Sequence, residues 1–289
     1  MKTQTHLFLA IIKKAILFTL VLFSLSPFCP SVTASQSDIE LFNYSFATWL
    51  GSGIYKVSDT DTRFAVIRLP FSFELKQPGQ PDDPLKQKAG LNLIVPVIAA
   101  YQEERISDFN LGAVAVVPGL EAIIPVKERW ILKPFVQLGL GGDSSTSSTQ
   151  VIYGAGIKSR YSFSWENIDF DIGNAVVVAG NSTSEPEASN AFSMVEAGIN
   201  ARLPQKFSIM DMDFRPGVFY VASWLFNHAE FYNGILENSE LKIINTLGLT
   251  ITFDTPLPLW KINLETLGLE YRYGNAGFTG VGLNLGFPF

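Results

Sequence analysis

The stretch TRFAVIRLPFSFELK, residues 62–76, places Ala65, Ile67, Leu69, Phe71, Phe73 and Leu75 on one side of an extended chain. Phe64, Val66, Arg68, Pro70, Ser72 and Glu74 fall on the other. Side chains of a strand alternate across its plane, so one face is wholly apolar and the other carries the charge. Past residue 44 this pattern recurs, each stretch closed by a cluster of Gly, Ser, Asp, Asn or Pro. No segment there sustains a helical period, and no apolar run reaches the roughly 18 residues that a membrane helix needs. The spacing predicts twelve strands, near 45–57, 62–76, 89–101, 110–125, 130–142, 151–161, 168–180, 191–203, 212–225, 241–253, 261–274 and 278–289.

Alternation alone would also suit a soluble sandwich, and composition separates the two. Of 289 residues, 47% are apolar and only 17% charged, where a water-exposed surface draws on about 25%. About ten residues at ~3.3 Å each, tilted near 45°, cross the ~25 Å apolar band of an outer membrane. The expected fold is therefore all-β, an antiparallel transmembrane β-barrel of about twelve strands. An even count sets both ends of the chain on one side of the membrane.

The first 34 residues read as a cleaved secretory signal peptide. Lys2, Lys13 and Lys14 precede the apolar run Ala15 to Phe23, and Val32 and Ala34 stand before a plausible cut ahead of Ser35. Two segments follow: 1–34 as signal peptide and 35–289 as barrel domain. The single Cys29 falls in the first and would be discarded, which leaves the mature chain no thiol chemistry. Removing three lysines and no acid takes Lys+Arg from 21 to 18 against 27 acids, a net of −9. Such an acidic exported chain is a poor nucleic-acid binder.

With both ends in the periplasm, the stretches QEERISDF, GGDSSTSST, GNSTSEPEASN and NHAEFYNGILENSE are expected as outer loops, and VKER, SFSWEN and DTPLPLW as inner turns. The acidic and hydroxyl-rich composition of the outer loops suits divalent ions bridging lipopolysaccharide, an adhesive or phage-receptor surface, or ordinary solvated loops. Trp130, Trp165, Trp224 and Trp260 fall near strand ends, where indoles favour the membrane interface; Trp49 does not. Pro70, Pro96, Pro134 and Pro216 interrupt strands, and bulges or strand ends are expected there.

If the apolar face meets lipid, the alternate face lines the lumen. It carries Arg68, Glu74, Lys133, Lys158, Arg160, Asp169, Asp171, Glu196, Arg202, Asp213, Arg215, Glu270 and Arg272. Glu121 shares that parity amid apolar neighbours. A single hairpin register would pair Arg160 with Asp169 and Lys158 with Asp171, and another would pair Arg202 with Asp213 beside Asn200 and Arg215. Two readings stand: ion pairs that fill a narrow barrel, or a polar passage for small solutes.

Catalysis has thin support in these residues. Barrel hydrolases need a histidine near a serine or acid partner, and the only histidine past the signal peptide is His228, with Glu230 two residues on. No serine stands in a recognisable nucleophile motif. A barrel hydrolase centred on His228 is the alternative to a non-enzymatic barrel. No metal site or cofactor is expected, since one histidine and scattered carboxylates form no ligating motif.

The segments VPGLEAIIPVKERWILKPFVQLGLG (117–141) and GLEYRYGNAGFTGVGLNLGFPF (268–289) resemble the solitary outer-membrane autotransporter-like β-barrel domain of Gram-negative bacteria. The resemblance implies a twelve-stranded barrel in the cell outer membrane and carries over no catalytic residue. Only about ten residues separate the expected cut from the first strand, too few for a passenger with a lumen-threading helix. The last strand resembles the C-terminal signal read by the barrel-assembly machinery, with Phe287 and Phe289 as its aromatics, although Asn284 stands where a glycine is usual. The expected partners are outer-membrane lipid, lipopolysaccharide and that machinery. The terminal apolar ladder, Val281 to Phe289 at every second position, is expected to face lipid.

Overall fold

A computed structural model describes residues 46, 48–58, 62–79, 89–103, 109–143, 149–184, 187–209, 212–233, 237–259 and 262–289. The expected signal peptide, Cys29 and Trp260 lie outside the described residues, as does the side chain of His228. Fourteen strand segments form one antiparallel sheet. They are β1 (Ser52–Val57), β2 (Thr62–Lys76), β3 (Gly90–Glu103), β4 (Phe109–Val116), β5 (Gly119–Lys127), β6 (Trp130–Asp143) and β7 (Thr149–Trp165). After them come β8 (Ile168–Ser184), β9 (Glu187–Arg202), β10 (Phe207–Ile209), β11 (Met212–Asn233), β12 (Glu237–Leu259), β13 (Ile262–Gly274) and β14 (Phe278–Asn284).

The sheet closes on itself. β14 pairs with β1 from Ser52↔Leu283 to Val57↔Phe278, and β9 pairs with β11 from Gly217↔Arg202 to Phe226↔Ser193. β4 and β5 are one stave, since β3 pairs with both in a single register across the gap, Val97↔Val116 and Ile94↔Gly119. β10 only prolongs the hairpin into β11. Twelve staves remain, the number the sequence pattern predicts.

The prolines sit inside staves without register shifts of their own. For Pro70, Pro96 and Pro216 the missing N–H meets a place where the neighbouring stave has stopped, whereas Pro134 sits between continuous neighbours on β5 and β7. Pro96 lies beside the β4–β5 gap, where Val117 N still donates to its carbonyl at 3.1 Å. Pro216 lies beside the end of β9, where Leu203 N donates to its carbonyl at 2.9 Å. Pro70 faces Pro96 in a continuous β2–β3 ladder, below the start of β1. A ladder bond is thus forfeited mainly where none was available.

Outward faces are aliphatic. Ile54, Leu138, Leu249 and Leu269 are 66%, 61%, 67% and 60% exposed, far more apolar surface than a monomer usually shows to water. At one rim, aromatic side chains stack: Phe163 on Phe170 at 5.3 Å, Phe207 on Phe214 at 5.9 Å, with exposed Trp165 beside Phe170. That rim holds the two-residue turns Glu128–Arg129 and Glu166–Asn167; we call it the turn end. Tyr271 and Tyr273, stacked at 6.0 Å, and Trp224 mark the outward face toward the opposite rim. At that opposite rim two of the expected long loops, GNSTSEPEASN and NHAEFYNGILENSE, are mostly strand. β8 and β9 meet across residues 185–186, and β11 and β12 across 234–236.

Both ends of the described chain depart from the wall. The first stave begins at Ser52, not residue 45; Phe46 to Leu50 make a helical turn in which Trp49 N and Leu50 N donate to the Phe46 carbonyl at 2.9 and 3.2 Å. Phe46 and Leu50 are buried, Phe46 edge-on to lumenal Phe192 and Trp49 against lumenal Phe135. The last stave ends at Asn284. Val281, Leu283 and Leu285 face outward as expected, but Phe287 and Phe289 do not. The chain turns at Gly286, whose φ of 132° suits glycine, and Gly286 N donates to Asn284 Oδ1 at 2.6 Å. Phe289 is then buried in the lumen, where Gly173 and Gly198 leave room for its ring.

Candidate functional site in the lumen

The lumen falls into three levels. Away from the turn end it is packed with apolar side chains, among them Tyr55, Val57, Phe64, Val66, Val177, Phe192 and Phe278. Tyr55 stacks between Phe64 at 5.4 Å and Phe278 at 5.8 Å. Alternation supplies much of this interior directly: Tyr55 follows outward Ile54, Val66 precedes outward Ile67, and Val177 precedes outward Val178.

The middle level holds the charges. Glu270 Oε1 accepts from Arg272 Nε at 2.7 Å and Glu270 Oε2 from Asn284 Nδ2 at 3.0 Å. Glu196 Oε1 accepts from Ser223 at 2.8 Å. Lys158 donates to the Pro288 carbonyl at 3.1 Å and lies 5.7 Å from the centre of the Phe135 ring; Lys133 reaches the main-chain oxygen of Phe289 at 3.4 Å. Glu121 also faces the lumen, being paired directly with Phe135 across β5 and β6. The Arg68 main-chain N–H donates to Ser52 Oγ at 2.9 Å, and the Arg68 carbonyl accepts from the same hydroxyl at 3.0 Å.

Part of this level borders a cavity of about 270 Å³. The turn with Phe46, Trp49 and Leu50 lies on one side of it and the segment Leu285–Pro288 on another, with Arg68, Lys158, Glu196, Glu270 and Arg272 in its wall.

The third level, toward the turn end, is a chain of ion pairs. Asp171 is buried and accepts from Ser162 at 2.6 Å and Asn200 at 3.0 Å, with Arg202 at 3.4 Å. Asp169 accepts from Ser164 at 2.7 Å and Arg215 at 2.9 Å; Arg215 lies 3.4 Å from Asp254, which takes a bond from Lys206 at 2.6 Å. Five staves, β7, β8, β9, β11 and β12, are thus tied together on the inner side of the wall.

The expected partners of these charges are corrected. Arg160 faces Gly173 rather than Asp169, and Lys158 faces Ala175 rather than Asp171. The cause is the turn. Glu166 and Asn167 both take positive φ, 49° and 67°, so SFSWEN is strand plus a two-residue hairpin, not a six-residue connection. Likewise Arg202 faces Gly217 and Asn200 faces Phe219, because residues 203–209 extend that hairpin. Asp213 accepts instead from Ser208 and is exposed, as is Glu74 at the end of β2. Parity survives in each case, so the residues face the expected side with different partners. The residues that sequence reasoning missed are Phe46, Trp49, Leu50, Pro288 and Phe289 as lumen contents; the glycines at 173, 198 and 286 were their only signal.

No family model and no curated protein sequence matches this chain. Among solved structures it is similar to the crystal structure of the β domain of the Bordetella autotransporter BrkA, with a TM-score of 0.44 and 10% sequence identity. The match covers 80% of this chain and 94% of that one.

Proposed function

We propose that this chain is an integral outer-membrane β-barrel of a Gram-negative bacterium, non-catalytic and closed at rest by its own two flanking segments. The observation that carries the reading is the pairing of an aliphatic exterior with a filled interior. Leu138, Leu249 and Leu269 stand out toward the surroundings, while Phe46, Leu50 and Phe289 occupy the lumen. Such an exterior is stable in lipid, and a closed barrel leaves no unpaired backbone there. The interior favours a structural, sealed barrel over an open small-solute pore. Lipid and lipopolysaccharide are its surroundings in this reading, and Phe287 and Phe289 are read by the barrel-assembly machinery before they turn inward.

The test has two parts. Membrane fractions from cells expressing the chain are expected to hold it in the outer membrane as a heat-modifiable band, and recovery in the soluble periplasm would overturn the location. Purified barrel in planar bilayers is expected to stay silent at moderate voltage. Discrete, salt-dependent current steps would instead establish an open passage.

A further inference from the structure

Closure of the wall stops partway along the seam. β2 runs on to Lys76 and β13 begins at Ile262, yet β1 pairs with β2 only from Gly53↔Val66 and β14 reaches β13 only as far as Gly268↔Asn284. Toward the turn end from there, Leu69 to Lys76 of β2 and Ile262 to Leu267 of β13 have no ladder partner on the seam side among the described residues. Leu69, Phe73 and Leu75 are exposed beside this breach, so it opens onto the same apolar surroundings as the rest of the exterior. Unmet backbone groups are costly in lipid.

The breach is two staves wide, and with strands ~4.8 Å apart a single added strand cannot reach both edges. The three ladders around it agree on what would fill it. Continued without a slip, the β1–β2 register sets Leu50, Thr48 and Phe46 against Leu69, Phe71 and Phe73. The β1–β14 register sets the same three against Leu285, Phe287 and Phe289. The β13–β14 register sets those in turn against Leu267, Glu265 and Asn263. Parity then puts Phe46, Leu50, Phe287 and Phe289 on the face that Ile54 and Leu283 present to the outside, with Trp49 inward opposite Gly286.

We propose that the breach is the docking place of the chain's own two flanking segments, which exchange between it and the lumen. Tucked in, Phe46, Leu50 and Phe289 gain burial, and Lys133 and Lys158 gain acceptors, while two strand edges stand open. Laid into the wall, the same segments meet both edges and empty the turn-end half of the lumen. Pro70 eases the exchange. The Arg68 N–H points to the seam, and Pro70, two residues on with the same orientation, has no N–H to offer a stave laid there. The cavity borders the breach at Arg68, Pro70 and Leu285, which leaves the segments space to move. Tyr55, Phe64 and Phe278 belong to the staves and stay packed in either placement, so the exchange opens a vestibule at the turn end and no through passage.

This inference rests on the barrel reading and deepens its closure. The experiment uses the full chain with Cys29→Ser, expressed in cells, and oxidises membranes that hold the heat-modifiable barrel. Phe46→Cys with Phe73→Cys reports the wall placement, because tucked Phe46 lies edge-on to Phe192 of β9, the stave opposite β2 in the closed order. Phe46→Cys with Ser72→Cys is the control, since Ser72 shares the inward parity of Arg68. Gly286→Ala disfavours the tuck through its φ of 132°, while its Cβ would meet only Thr266 at 3.8 Å. The Phe46–Phe73 link is expected as a reductant-sensitive pair of peptides by mass spectrometry. Its yield is expected to exceed that of the control and to rise about fivefold or more with Gly286→Ala. If Gly286→Ala does not fold, the pair in the parent background decides. Absence of the link in a folded barrel, or a yield no higher than the control, overturns the exchange and leaves the barrel reading standing. Recovery of the chain in the soluble periplasm overturns both.

Discussion

Lys133 on β6 and Lys158 on β7 stand directly opposite each other inside the barrel, and both donate to the same inward-turned segment, at Phe289 and Pro288. Like charges in direct cross-strand register repel. Two carbonyls placed against the two ammonium groups offset that repulsion, so the segment that fills the lumen also makes the wall beside it tolerable.

The repulsion is measurable as a coupling. Each single change, Lys133→Met or Lys158→Met, loses a donor but relieves the same repulsion, whereas the double change relieves it only once. The double variant is therefore expected to lose about 0.5 kcal/mol more than the sum of the singles, read from urea unfolding in lipid. A double variant equal to that sum would mean the lysines do not sense each other.

Gly173 holds the door for Phe289. A Cβ there would lie 2.2 Å from the Phe289 ring, so Gly173→Val expels the ring while suiting a strand. Hydrogen exchange of a peptide covering 285–289 is expected to rise in this variant with the barrel bands unchanged. Protection equal to the parent would show that Phe289 is held otherwise.

Glu270 is buried and neutralises Arg272. Glu270→Gln removes the counter-charge and is expected to cost about 3 kcal/mol, because breaking a buried pair strands its partner. Glu270→Gln with Arg272→Met is expected to recover most of that loss. Thermal unfolding of the two variants, compared with the parent, decides; a single variant as stable as the parent would refute the pairing.

The turn at Glu166–Asn167 carries two non-glycine residues at positive φ. Replacing the pair with Asn-Gly, the sequence this turn favours, is expected to stabilise the barrel by about 0.5–1 kcal/mol. An unfolding midpoint in urea that does not rise would contradict the turn geometry.

Much of the wall was legible because lipid and lumen impose opposite chemistry on alternate residues. Arg68, Lys158, Glu196, Glu270 and Arg272 therefore face inward as parity predicts. Register was not legible, because a hairpin can slide by an even number of residues without turning any side chain over. Only the positive φ at Glu166 and Asn167 shortens that connection, and neither residue is glycine to announce it. The ends misled for a related reason. Phe46 to Leu50 and Leu285 to Phe289 are as apolar as the staves, and an aromatic filling the lumen looks, in sequence, like one facing lipid. Gly286 and the facing Gly173 are the physical difference, and a glycine in a strand pattern has several meanings.

The seam between β1 and β14 joins six residue pairs, Ser52 to Val57 with Leu283 to Phe278, and each of its strands runs straight into a lumen-filling segment. Residues packed inside the barrel therefore anchor both strands of the seam, Phe46 and Leu50 ahead of β1 and Phe289 beyond β14. The short seam is held by its inner ends as well as by its ladder.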